Sequence, residues 1–253
     1  MKLGTAGWVC IWSVVCVSVL PGAVADTLLV PSQYATIQEA IEAALPGDEV
    51  VLADGVYIGP GNTDLDLGGK AITVRSASGD PALCIIYCRG AGRGFYFHSG
   101  ETSDAVVRDL MIVEGAGEYG GGIYCENASP TLIDCVIISN AAELQGGGMY
   151  CRDAAPTLIG SRFKGNVSLH QGGGLYCENA SPTLVDCTLS GNTADFGGGV
   201  GLWESSITLS HCTFTENNYT YGGAIYSSAS IVMLDNCSIC RNQGNYGAGL
   251  YLS

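Results

Sequence analysis

The residues best suited to chemistry stand at fixed intervals. Glu126, Arg152 and Glu178 follow one another at 26 residues, and Trp203 and Ser228 continue the series at 25. His98 precedes them in the same position of a less regular stretch. Two places before each is another row: Tyr124, Tyr150 and Tyr176, then Gly201, then Tyr226 and Tyr251. If each interval is one strand spacing of ~4.8 Å, Glu126 and Glu178 lie ~9.6 Å apart with Arg152 between them. Paired carboxylates cleave glycosidic bonds at separations of ~5 to 9.5 Å when one of them has a raised pKa. Glu126, Arg152 and Glu178 are therefore candidate catalytic residues for a polysaccharide-cleaving site, with Arg152 or a glutamate as base. The plainer reading, which we favour, is a ladder of alternating charge that stabilises neighbouring strands. Tyr124, Tyr150, Tyr176 and Trp203 are candidate ligand-binding residues, because sugar rings stack on aromatic faces and phenols add a hydroxyl. A ladder of rings packed on one another is the alternative.

Such rows need elements that repeat. The segment from Gly120 to Gln145, GGGIYCENASPTLIDCVIISNAAELQ, returns from Gly146, Gly172, Gly197 and Gly222, and restarts at Gly247. A fixed period of 25 or 26 residues marks a stacked repeat and outweighs local propensity. After the glycines, Ile123, Met149, Leu175, Val200, Ile225 and Leu250 form an apolar row, with Cys125, Cys151, Cys177, Leu202, Ser227 and Leu252 two places on. Tyrosines between them complete a period of two, which reads as a strand with aliphatics inward and tyrosines outward. A second strand carries inward rows headed by Leu132, Cys135 and Ile137. Asn140, Asn166, Asn192, Asn217 and Asn242 follow, a row able to bond from coil to coil and to accept left-handed turn geometry.

Stacked strands without helices predict an all-β fold, a right-handed parallel β-helix with an N-terminal capping helix. A leucine-rich repeat has a similar period, but the strand-like GGGIYC occupies the place of its helix, and three glycines oppose one.

Along the chain, residues 1–25 read as a secretory signal peptide, with Lys2, an apolar core, and Ala23-Val24-Ala25 as the cleavage site. This predicts an exported protein, secreted or at the cell surface, cleaved after Ala25. No later stretch is long and apolar enough to predict a membrane span. Residues 26–58 form an N-terminal cap: a helix over 36–45 with a Thr36/Glu39 capping box, then a first strand over 49–57. Residues 59–119 read as irregular early coils, with strands near 65–67, 72–74, 84–88, 95–98 and 105–113. Residues 120–253 are the regular coils. They stop within the first strand of a new one, which predicts either a missing C-terminal region or end-to-end self-association.

The stretches ATIQEAI, PGDEVVLADGVY and LDLGGKAITVRS resemble the cap and first coils of pectin-lyase-like right-handed β-helix proteins. The later repeats resemble those of polymorphic outer-membrane proteins, with motifs FxxN and GGAI. Phe214 to Asn217 and Gly222 to Ile225 match both. The resemblance implies the fold for nearly the whole exported chain, and activities ranging from polysaccharide cleavage to adhesion. The paired-aspartate and clustered-aspartate signatures of its best-known enzymes are absent from the sequence.

A net charge of −14 argues against nucleic acid and anionic membranes as partners. Ten cysteines follow the leader, mostly at inward positions, where they read as small hydrophobes and structural thiols rather than a disulfide framework. Cys237-x-x-Cys240 is the one CxxC, with no context for redox or zinc chemistry. No metal or cofactor is expected. The Asn-x-Ser/Thr triplets at Asn127, Asn166, Asn179, Asn218 and Asn236 follow from a turn-rich composition. The sequence thus predicts a secreted or cell-surface β-helix presenting an extended face to a polysaccharide or a host or cell surface. A lyase or glycoside hydrolase on the tyrosine strand is the alternative.

Overall fold

The computed structural model describes residues 25–253, apart from the side chain of Tyr219. The proposed leader lies outside the described residues. The chain winds as a right-handed parallel β-helix whose strands pair in parallel with their equivalents one coil on. One sheet runs from Thr27–Val30 through Thr131–Ile133 to Ile231–Asp235 and has nine strands. Seven strands, from Phe95–Phe97 to Leu250–Leu252, carry the tyrosines, and eight, from Gly55–Ile58 to Ser238–Cys240, form the third sheet. A fourth side is built from shorter pieces, Ala116–Tyr119, Ala141–Gln145 and Val167–Ser168, then Asn218–Tyr221 and Gln243–Tyr246. Single bridges at Thr193 join the two groups.

The sequence reading of two strands per repeat is therefore corrected. Leu132 and Cys135 both face the core and are fully buried, yet they are an odd number of residues apart. A straight strand cannot turn both inward, because its side chains alternate. The chain bends between them at Asp134, φ 50°, so the second strand is two: Thr131–Ile133 and Val136–Ile138. The segment after Asn140, read as a turn, is the fourth side.

Each coil has four such corners, and each corner takes one residue in the left-handed region. The first is Asn127, Asp153, Asn179, Glu204 and Ala229. The second is Asp134, Gly160, Asp186, His211 and Asn236, and the third is Ser139, Gly165, Gly191, Glu216 and Arg241. The fourth is the leading glycine of each triplet, such as Gly172 at φ +64°. The second glycine is required for space instead, since a Cβ on Gly173 would stand 2.5 Å from the carbonyl oxygens of Gly198 and Thr193.

The asparagine row itself is not left-handed; the residue before it takes that conformation. Its side chains form the expected ladder. Asn166 Nδ2 donates to Asn192 Oδ1 at 3.0 Å, and Asn192 Nδ2 to Asn217 Oδ1 at 2.9 Å. Each Oδ1 also accepts from the main chain of the preceding asparagine, as from Asn166 N at 3.0 Å. Asn192 is wholly buried, so every one of these bonds replaces water that it has lost.

The core holds rows of large and rows of small side chains. Ile137, Phe163, Leu189 and Phe214 are fully buried, as are the small Cys125, Cys151 and Cys177. Burying a side chain of the larger kind stabilises by about 1.5–3 kcal/mol. All ten described cysteines are free thiols; Cys240 is exposed and Cys237 partly so, and the others are buried.

At the front, the helix spans Ile37–Ala43, with both halves of the Thr36/Glu39 capping box formed. Ile37, Ala40 and Ile41 bury its inner face. It packs against the strands Thr27–Val30 and Glu49–Leu52, and a further strand, Gly55–Ile58, follows where the sequence reading has one strand over 49–57. Lys70 closes the other helix end: its Nζ donates to the carbonyls of Ile41, Glu42 and Ala44 at 2.8, 2.7 and 3.0 Å. Such a cation meets the negative end of the helix dipole. The stretch 59–119 joins the same sheets, and its segment 105–113 is two strands, Val106–Arg108 and Met111–Val113, bent at Asp109.

Candidate functional site

The tyrosine sheet sets the candidate residues in register. Glu126 pairs with Arg152, Arg152 with Glu178, Glu178 with Trp203, and Trp203 with Ser228. The spacing read from the sequence is thus realised in space. The bonds are less symmetrical. Arg152 pairs with Glu126 and stands 3.9 Å from Asp153, and no ion pair to Glu178 is formed. Glu178 accepts instead from Tyr150 Oη at 2.8 Å, while Tyr124 Oη donates to Glu126 Oε2 at 3.2 Å.

The tyrosines form a stack. Ring centroids are 4.9 Å apart from Tyr96 to Tyr124, 5.3 Å from Tyr124 to Tyr150, and 5.7 Å from Tyr150 to Tyr176. A second row lies over them. Tyr119 sits 5.1 Å from Tyr150, and further on Phe196 lies 5.1 Å from Tyr226 and Tyr221 lies 5.4 Å from Tyr251. As a result Tyr150 and Tyr176 are only 2% and 3% exposed. Along Tyr150 and Tyr176 the outward side of this sheet is a covered seam, closed by the fourth side of the coil. The expectation of an open face along all three tyrosines is corrected to that extent: the flat sides of Tyr150 are already occupied by its neighbours. Trp203, beside Gly201 where the tyrosine row breaks, is 43% exposed.

At the front of the stack, Arg93 lies over Tyr96 and Tyr124, 5.6 and 5.5 Å from their centroids. Its Nε donates to Tyr119 O at 3.0 Å, and its guanidinium pairs with Asp64 at 3.8 Å. His98 stands 3.3 Å from Asp66.

Burial, followed by the nearby Glu126 carboxylate, pushes the Tyr124 phenol up to about 12. Burial also raises Tyr150, with Glu178 adding to it, and raises Tyr176 in the same way. These phenols are neutral donors across the ordinary pH range. Tyr124 and Tyr150 hold the carboxylates; none of the three supplies a phenolate base. Glu126 and Glu178 each accept from a phenol, and Glu126 from a guanidinium besides. What the arrangement offers is a fixed row of acceptors and donors beside one exposed indole.

Sequence reasoning missed the fourth side of the coil, whose segments AGEY, AAELQ and VS were read as turns. The signal was present as a row before each glycine triplet: Tyr119, Gln145, Gln171, Phe196, Tyr221 and Tyr246. These residues cover the tyrosines, and Gln145 Nε2 donates to Gln171 Oε1 at 3.2 Å. Among the described residues no cluster of three His, Cys, Asp or Glu side chains has the geometry to hold a metal ion.

Residues 147–253 match the family model described as "Right handed beta helix region". No curated protein matches the chain. Among solved structures, the fold is similar to an alginate lyase from Paenibacillus sp. str. FPU-7, at 14% identity and a TM-score of 0.45, covering 88% of this chain and 99% of that one. It is also similar to the pectate lyase Pel9A, at 12% identity and a TM-score of 0.40, covering 87% of this chain and 80% of that one. With its ladders in register from coil to coil, the segment 147–253 is a right-handed β-helix region, and the coils before it continue the same three sheets.

Proposed function

We propose that this protein is a non-catalytic, glycan-binding β-helix of the cell exterior, secreted or held at the cell surface. The observation that carries the reading is the exposed Trp203 next in register to Glu178, on the row of Glu126 and Arg152. An indole face offers a stacking platform for the C–H side of a sugar ring, and a fixed row of charged groups along the axis offers partners for its hydroxyls. The sequence of residues 1–25 supports export, and the FxxN and GGAI repeats, with their resemblance to polymorphic outer-membrane proteins, support a surface location. The pairing of Glu126 with Arg152 and of Glu178 with Tyr150 supports binding over cleavage, because both carboxylates are already engaged by side chains of the protein itself.

The test is a calorimetric titration of neutral and acidic oligosaccharides with product analysis. Binding that is lost in Trp203→Ala, with no new reducing or unsaturated ends, is the expected outcome. Cleavage products that disappear in Arg152→Ala or Glu126→Gln would place a polysaccharide lyase or hydrolase on this strand instead.

A further inference from the structure

The two glutamates on the tyrosine sheet are not equivalent. Glu126 has both oxygens engaged, Oε1 by Arg152 and Oε2 by the Tyr124 phenol. Glu178 meets the Tyr150 phenol through Oε2 alone, and among the described residues nothing bonds its Oε1. No buried side-chain oxygen among them lacks a partner, so Oε1 of this half-buried glutamate faces solvent. The same holds for Ser228 Oγ. These two groups flank Trp203 in register, one rung before it and one rung after, with the backbones ~4.8 Å apart at each step. The exposed indole thus lies between a free carboxylate oxygen and a free hydroxyl.

The charges near the indole are of one sign. Glu178 stands on the preceding rung, and Glu204, exposed, comes next in the chain. Arg152 is the only arginine or lysine in the seven strands of the sheet. It lies two rungs from Trp203 and is paired with Glu126.

We propose that the Trp203 site takes uncharged sugars and rejects uronic acids, with Glu178 as the residue that sets the preference. The proposal rests on the glycan reading above and names the class of sugar bound. A ring stacked on the indole brings its hydroxyls to the rungs on either side. There Glu178 Oε1 accepts from a hydroxyl in a charge-assisted bond, stronger than one between neutral groups. A uronate in the same place sets its own carboxylate against Glu178. No unpaired cation in the sheet offsets the repulsion.

The probes are hexamers matched in linkage and stereochemistry that differ only in an acid for a primary alcohol. Cellohexaose is compared with its glucuronate counterpart, and β-mannohexaose with hexamannuronate, each titrated calorimetrically at low and at high salt. In at least one pair the neutral member should bind at least ~10-fold more tightly at low salt, with the gap narrowing as salt is raised. Glu178→Gln keeps an acceptor for Tyr150 but drops the charge. It should weaken binding of the neutral hexamer by about 3- to 10-fold and shrink the gap. Glu118→Gln removes the same charge from the fourth side of the coil and should change neither. An equal effect of the two variants assigns the preference to the net charge of −14 and overturns the proposal. Ser228→Ala leaves the bond between Glu178 and Tyr150 in place and should weaken the neutral hexamer by about 2- to 5-fold. A neutral affinity unmoved by both Glu178→Gln and Ser228→Ala overturns the proposal as well. Equal affinity within each pair, lost in Trp203→Ala, overturns it and leaves the glycan reading standing. No binding of any hexamer, or binding indifferent to Trp203→Ala, overturns both.

Discussion

Asn192 shows how much one side chain can do in a stacked coil. It bonds to the coil on either side and to the Phe163 carbonyl at 3.0 Å, all without water. Asn192→Ala should destabilise by roughly 1–3 kcal/mol, because it strips partners from buried main-chain and amide groups. Asn242→Ala, at a half-buried position near the end of the described coils, should cost less. Chemical denaturation of both variants checks the difference, and equal midpoints would show that the ladder carries no load. The corner residues give a second measurement. Ala229 holds φ 47°, a conformation that costs a residue with a Cβ roughly 1–2 kcal/mol. Ala229→Gly should therefore raise the unfolding midpoint, by up to about 1 kcal/mol after the added chain entropy. A lower midpoint would mean that the corner is not strained.

At the scale of the element, the strands facing the core were legible and the corners were not. Ile123, Leu132 and Ile137 announce inward rows by apolar type alone, and their copies confirm it. The bend at Asp134 leaves only an odd spacing between Leu132 and Cys135, a faint sign beside the strong apolar run. The fourth side was illegible for a different reason. Its segments AGEY, AAELQ and VSLHQ share neither composition nor length, and the register slips between Ala142 and Gln145. The same irregularity hid the burial of the tyrosines: their outward direction was correct, but the residues that cover them come from this side. Of the candidate site, the registry of Glu126, Arg152, Glu178 and Trp203 was readable, while the pairing of Glu178 with Tyr150 depends on rotamers that no spacing specifies. The glycine triplets extend the point to a test. Gly173→Ala should cost several kcal/mol, since the clash is with main chain that cannot yield. Gly165→Asn, at φ +61° with nothing within 4 Å of its Cβ, should be tolerated within about 0.5 kcal/mol. Paired thermal melts decide it, and a Gly173→Ala loss as small as that of Gly165→Asn would show that the second glycine is not needed for space.

For the whole molecule, buried acids without countercharge set the alkaline limit. Burial pushes Cys84, Cys88 and Cys135 from 9.0 up to about 12, and Tyr57 from 10.0 up to about 12. In each case the folded value exceeds the unfolded one, so the folded state keeps its proton after the unfolded chain has lost it. Stability is then fully present below pH 9 and falls as pH rises from about 9 to 12, by about 1.4 kcal/mol per unit of pH for each group in its window. The melting temperature should be flat from pH 7 to 8.5 and drop steeply by pH 11. Cys135→Ala should lessen the drop, and a profile flat to pH 11 would rule out these protonated thiols and phenol as its source.

Because each ladder joins a residue to its own counterpart, the top of one coil fits the bottom of any other. Length is then a free quantity, as in a ruler cut from a roll. An in-frame duplicate of residues 172–196 should insert as one more turn, displacing nothing but the distance between the two ends. Scattering should record growth of ~4.8 Å along a single axis. What natural selection would tune in such a protein is its reach, one gene duplication at a time, with no new core to invent.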